Sequence, residues 1–152
     1  VCSSDLLDAY MYSEILPRLW QGGTPDEEMI HSSKEYASAF DAIGVTCVVT
    51  LDSRSQPMPW GIQEFRYGFT DGVLEKAELK QILEIADWAY EKWKRGEKVL
   101  IRCQAGMNRS GLITALVLMK DGLSANEAIS LIRSKRAPAL SNSHFVEWLN
   151  SL

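Results

Sequence analysis

The sequence predicts an α/β fold, a three-layer sandwich with a central mixed sheet flanked by helices. Three observations point there. Short β-branched apolar runs alternate with segments of helical period. One of these runs, Lys98 to Arg102, passes through a short loop directly into an apolar helix-like run, Leu112 to Lys120. Further helical segments follow that strand. The 152 residues suffice for one domain with its own core, and 46% hydrophobic with 24% charged residues is a globular composition.

Val1 to Tyr12 shows no clear period and reads as a loose N-terminal extension, with a single domain over 13–152. Ser13 to Gly23 reads as two short strands broken at Pro17 and closed by a glycine turn. Thr24-Pro25-Asp26-Glu27 starts a helix: Thr caps, Pro takes the first helical position, and Glu27 completes a capping box. That helix is expected to run to about Ala42, before Gly44, and His31 lies on it with no assigned role. Val45 to Leu51 is apolar on both faces, which predicts a buried strand. Asp52 to Gly61 is a loop by composition. Gln63 to Phe69 alternates, with Phe65, Tyr67 and Phe69 on one face and Glu64 and Arg66 on the other.

Thr70-Asp71-Gly72 is a turn after that strand, where Asp71 could serve as a turn residue or helix cap. The clearest helix is Lys76 to Arg95, in which Leu79, Ile82, Leu83, Ala86, Tyr90 and Trp93 recur at spacings of three and four. Gly96 ends it behind Lys92, Lys94 and Arg95. Leu112 to Met119 is apolar nearly all round, the mark of a helix in the domain interior. Asp121-Gly122 stops it, and Ser124 with Glu127 forms a second capping box. Arg133, Lys135 and Arg136 make a basic end to that helix. They read as cations offsetting its C-terminus, with a minor phosphate-binding patch as the alternative. Ser141 to Leu149 is the last helix, docked by Phe145, Trp148 and Leu149, with His144 at the surface or in a cap contact.

The chemistry concentrates in Cys103-Gln104-Ala105-Gly106-Met107-Asn108-Arg109-Ser110. A strand, a tight loop and a helix N-terminus together make an anion site, because the first helical N–H groups have no partner inside the helix and the dipole adds positive potential. A loop curled round an oxyanion points its own N–H groups inward as well. That field favours the thiolate of a cysteine at the mouth of the loop, here Cys103. Arg109 can offer two parallel donors to two phosphate oxygens, which lysine cannot. Gly106 permits a turn that a β-carbon would oppose. Ser110, at the helix start, can donate to the sulfur. The bland alternative is a core cysteine at a strand end beside a solvated arginine.

Cys103 to Ser110 resembles the signature loop of the cysteine-dependent protein tyrosine phosphatase superfamily. The order of elements from about Ser13 to Leu149 is similar to its small dual-specificity branch. The resemblance implies a phosphatase domain over 13–152 and the dual-specificity phosphatase fold. It implies Cys103 as nucleophile, Arg109 as phosphate clamp, and Gln104, Ala105, Gly106, Met107, Asn108 and Arg109 as the substrate-binding cradle. It also implies Ser110 as the group that helps the thiolate leave. Asp71, 32 residues before Cys103, stands where the family carries its general acid; Asp52 is a rival but lies too early in the chain. The loop after the second apolar strand forms a wall of the family's cleft, where Arg54 and Trp60 could touch substrate. One departure is Arg102, where the family usually has His; a permanent cation there would favour the thiolate only if it pointed at the site. Cys47 is most simply a core residue, although some members pair a nearby cysteine with the nucleophile.

The expected reaction is metal-independent hydrolysis of phosphate monoesters, phosphotyrosine together with phosphoserine and phosphothreonine in proteins, through a phosphocysteine and without a cofactor. Related alternatives are an RNA 5′-triphosphatase, suggested by Asn108 before Arg109, and a phosphoinositide phosphatase, whose loops carry lysines where Gln104, Ala105 and Met107 are neutral. A non-catalytic phosphate-binding module is the alternative from another class. A net charge of −4 argues against a broad nucleic-acid or anionic-membrane surface, so the expected partner is a phosphorylated protein or another phosphate monoester. Three cysteines, an odd count without metal-ligand spacing, suit a reducing cytoplasm, and no run reaches the length of a membrane span.

Overall fold

The computed structural model describes residues 12–24, 42–53, 55, 57, 58 and 61–152. Five strands form one sheet: β1 Tyr12–Leu16, β2 Leu19–Gly23, β3 Cys47–Thr50, β4 Gln63–Arg66 and β5 Val99–Cys103. Their order is β1-β2-β5-β3-β4. β1 and β2 are antiparallel, and the remaining pairs are parallel. The fold is therefore an α/β sandwich about a mixed sheet, as the sequence predicts. β5 lies at the centre, and all five of its residues are buried. That explains its unbroken apolar start, since a strand covered on both faces has no solvent side to mark with alternation.

Four described helices follow: α1 Lys76–Lys94, α2 Arg109–Lys120, α3 Ala125–Lys135 and α4 Ser143–Ser151. The main core joins Val49 and Ile101 of the sheet to Ile82 and Ile85 of α1, Leu112 and Leu116 of α2, Ile129 of α3 and Phe145 of α4. α2 sits in its middle, with every residue from Ser110 to Leu118 buried. A smaller cluster of Tyr12, Val45, Val48 and Leu100 occupies the other face of the sheet. The capping box of α3 forms, Ser124 Oγ accepting from Glu127 N at 3.1 Å and Glu127 Oε1 from Ser124 N at 3.0 Å.

Boundaries differ from expectation at several places; β3, for one, is confined to Cys47–Thr50. Tyr12 is the first residue of β1 and pairs with Gly22, so the sheet begins one residue earlier than the sequence suggests. β4 stops at Arg66 because its partner β3 stops at Thr50; one last bond, Tyr67 N to Thr50 O at 2.9 Å, closes the pair. α4 begins at Ser143, two residues late, because Asn142 is the residue that caps it. The predicted helix after Thr24 lies almost wholly outside the described residues, as do residues 1–11, His31, Arg54 and Trp60. No helix among the described residues is long and apolar enough to cross a membrane.

Candidate active site

The carboxyl ends of β3, β4 and β5 open on a cleft of about 390 Å³, lined among others by Asp52, Phe69, Asp71, Gln104 and Arg109. Parallel strands place ligands at that end of the sheet. Cys103 is the last residue of β5 and is 2% exposed. Ser110, in the first turn of α2, stands beside it: its Oγ lies 3.3 Å from Sγ, and its backbone N–H donates to Sγ at 3.4 Å. The sulfur thus sits at a helix N-terminus, between a hydroxyl and an amide.

The loop between them has an ordered polarity. Gln104 O accepts from Thr24 N at 2.9 Å, and Asn108 O from Leu112 N at 2.8 Å. Ala105 O accepts from Arg136 Nη2 at 3.3 Å. Gly106 O accepts from Arg136 Nε at 2.6 Å and Gln21 Nε2 at 3.1 Å. Met107 O accepts from Leu140 N at 3.2 Å. Every carbonyl from Gln104 to Asn108 is therefore engaged by the surrounding scaffold. Among the described residues, no partner takes the N–H groups of Ala105 to Asn108. A loop whose oxygens are held outward presents its amides to the centre, the arrangement that binds an anion. Gly106 has φ +72°, and a β-carbon there would lie 2.5 Å from Gly22 C and Gly23 N and 2.6 Å from Arg136 Nη2. Only glycine fits both the conformation and the space.

Arg109 donates through Nη1 to Phe69 O at 3.1 Å. Its Nε is buried and has no partner among the described residues. A buried guanidinium N–H is costly to leave unpaired, so this donor is suited to a ligand oxygen.

Asp71 faces the cleft from the turn after β4. Asn108 Nδ2 donates to its Oδ2 at 2.9 Å and Asn142 Nδ2 to its Oδ1 at 2.8 Å. Asn142 also donates to Gly72 O at 3.1 Å, while its own Oδ1 caps α4 by accepting from His144 N and Phe145 N. Asn142 N donates in turn to Asn108 Oδ1 at 2.9 Å. The side chain of Asn108, which the sequence assigns only to the cradle, therefore ties the cradle to the turn that carries Asp71. Asp52 lines the same cleft but is largely buried and accepts from Ser55 Oγ at 3.2 Å.

Arg102 does not point at the sulfur. Adjacent strand residues face opposite sides of a sheet, and Arg102, 1% exposed, extends away from Cys103. Its Nε donates to Thr50 Oγ1 at 3.0 Å and its Nη2 lies 3.4 Å from Glu64 Oε2. Glu64 also accepts from Thr50 Oγ1 at 2.6 Å, Arg66 Nη1 at 3.1 Å and Met58 N at 3.3 Å. The cation is thus bound into a polar cluster on the face of β5 opposite Cys103.

Cys47 is the core residue that the sequence suggests, fully buried, and the pairing with Cys103 does not form. Cys47 pairs in register with Val99, four residues along β5 from Cys103. That separation is about 13 Å along a strand, far beyond the roughly 7 Å Cα limit for a disulfide, and both thiols are free. Burial, with the Glu97 carboxylate that accepts from Cys47 Sγ at 3.2 Å, pushes the Cys47 thiol up to about 11. At the basic end of α3, Arg133 and Lys135 are exposed in the last turn, as cations offsetting its C-terminus would be, and Arg136 departs from that reading. Arg133 donates to Leu140 O at 2.7 Å, and Arg136, 5% exposed, lies beneath the signature loop. Arg136, Gln21 and Asn142 carry no sequence signal of their own. Their roles depend on contacts across 30, 85 and 71 residues.

The model of the family described as dual specificity phosphatase, catalytic domain, matches residues 32–152. A probable protein tyrosine phosphatase type IVA B of Dictyostelium discoideum is 30% identical over 129 residues, 82% of this chain and 77% of that protein. Human dual specificity protein phosphatase 1 is 28% identical over 97% of this chain and 39% of its own length. Among solved structures, Tk-PTP in its active form superimposes with TM-score 0.71 at 26% identity, covering 93% of this chain and 95% of that one. The match over 32–152, with a relative at 30% identity, places the chain in the dual specificity phosphatase catalytic-domain family, as a protein phosphatase of the cysteine-based class.

Proposed function

We propose that the chain hydrolyses phosphotyrosine, and phosphoserine and phosphothreonine, in protein substrates through a phosphocysteine intermediate. The single observation that carries this reading is the outward engagement of every carbonyl from Gln104 to Asn108 around a thiol that abuts Ser110. The phosphate dianion sits on the amides of Gln104 to Arg109 and on the guanidinium of Arg109. The Cys103 thiolate attacks phosphorus in line, and the phosphorus–oxygen bond to the leaving group breaks as Asp71 delivers a proton to that oxygen. Asp71, now ionised, takes a proton from the water that attacks the phosphocysteine. The sulfur–phosphorus bond breaks, inorganic phosphate leaves, and Ser110 stabilises the returning thiolate. The amides and Arg109 supply positive potential where charge spreads over the equatorial oxygens.

The test is hydrolysis of an aryl phosphate by wild type and Cys103→Ser. Turnover that survives EDTA, is blocked by vanadate and disappears in Cys103→Ser is expected. Wild-type rates in Cys103→Ser would overturn the mechanism. Phosphopeptides carrying each of the three residues, compared with 5′-triphosphorylated RNA, then test the substrate class.

A further inference from the structure

The signature loop is held from behind by two side chains that cannot touch a substrate. Arg136 is the residue after α3, and Gln21 lies in β2. Both are buried, Gln21 fully. Their three donors converge on two adjacent peptide groups: Arg136 Nε and Nη2 on Gly106 O and Ala105 O, and Gln21 Nε2 on Gly106 O. Arg136 Nη1 reaches Ser13 Oγ at 3.1 Å, which fixes the guanidinium against β1. These two peptide groups form the apex of the loop, where its backbone must reverse.

The physical consequence follows from the planarity of the peptide bond. In a trans peptide, C=O and the next residue's N–H point in opposite directions. Fixing Ala105 O and Gly106 O outward therefore aims the N–H groups of Gly106 and Met107 inward. Without donors behind the loop, those two buried carbonyls would lose their partners, and turning them toward the centre would bring negative poles to the anion. The guanidinium adds a positive charge on the far side of the same peptides. Burial pulls Arg136 below the ordinary arginine value, and the neighbouring Cys103 acts on it in the opposite sense.

We infer that Arg136, assisted by Gln21, is a positioning residue that sets the anion affinity of the signature loop by orienting the peptide groups at Ala105 and Gly106. The inference rests on the reading of that loop as a phosphate cradle. It assigns Arg136 to the scaffold of the site and removes it from any surface contact with substrate. A lysine at the position would keep the charge but could not hold both carbonyls in the plane of one fork.

The experiment is calorimetric titration of inorganic phosphate into wild type, Arg136→Lys, Arg136→Met and Gln21→Met, with the melting temperature of each measured without phosphate. Arg136→Met is expected to weaken phosphate binding by roughly 10–100-fold, the range found when outer-shell partners of a site are removed. Arg136→Lys should recover part of that, and Gln21→Met, close in volume, should lose about threefold. A residue that only supports the fold would lower the melting temperature and leave the affinity of the folded protein unchanged; that result overturns the inference. If Arg136→Met does not fold, Arg136→Lys and Gln21→Met decide it, and unchanged affinity in both overturns it. Wild type that binds no phosphate overturns the cradle reading and this inference together, whereas wild type that binds, with variants that bind equally, overturns the inference alone.

Discussion

The two halves of the site are held in different ways. The signature loop is pinned by β2, α2, the residues after α3, and two buried side chains, and Gly106 leaves no space for a β-carbon. The turn that carries Asp71 is an exposed bend, and the carboxylate is held by the amides of Asn108 and Asn142. The difference matches the two tasks. A nucleophile and anion cradle gain from geometry fixed before the substrate arrives. A general acid must meet leaving groups of different size, and a few exchangeable hydrogen bonds allow it to shift. On the proposed mechanism, the anchored half would govern all substrates alike and the tethered half the difficult ones.

The strongest challenge to that division is Asp71→Asn. It should slow alkyl phosphates, whose leaving oxygen needs a proton, by roughly two to four decades, and barely affect aryl phosphates with good leaving groups. Equal losses on both classes would mean that Asp71 supports the cradle instead. Wild-type rates on alkyl phosphates would hand the acid role to another group, with Asp52 the first to examine.

A finer test targets the tether. Asn142→Ser retains a side-chain oxygen to cap α4 but removes the amide that reaches Asp71. It should cost about tenfold on alkyl phosphates, with phosphate binding unchanged. Asn142→Asp retains the cap too but sets a carboxylate against Asp71, and it should be the worse of the two. Weakened phosphate binding in Asn142→Ser would show that the halves are not independent, the link through Asn108 being the physical route.

The smallest expected effect lies in stability, behind the sheet. Burial pulls the Glu64 carboxyl upward, but hydrogen bonds from Thr50 and Met58 N and the guanidiniums of Arg66 and Arg102 prevail and hold it below its ordinary value of 4.5. A carboxylate depressed in this way contributes fully above 4.5 and less as pH falls through its lower folded-state value. Glu64→Gln should lose about 1–3 kcal/mol at neutral pH. Its melting temperature should also fall less than that of wild type on acidification below pH 4.5. Parallel pH profiles for the two proteins would remove Glu64 from the account.

The sheet, the four described helices and the Cys103–Ser110 loop were legible because their signals are local. Apolar period, capping pairs and a glycine between Cys and Arg all lie within a few residues. The orientation of Arg102 was legible in principle as well, since strand alternation puts it on the face opposite Cys103. Arg136 and Asn142 were not. A basic residue at a helix end and an asparagine at a helix start each have a sufficient local explanation, and only the tertiary fold brings them to Gly106 O and Asp71. The short extent of β4 was hidden for a related reason: its length is set by the end of β3, not by its own alternation.

The outward engagement of the loop carbonyls also bears on the heat of binding. A cradle whose carbonyls are all held by the surrounding scaffold has little chain entropy left to lose when an oxyanion enters. Association should then approach the temperature dependence of a rigid host taking an ion, with a small heat-capacity change. Inhibitors that copy the phosphate alone would draw mainly on this preformed part, and selectivity among related proteins would have to come from groups that reach beyond it to the walls of the cleft.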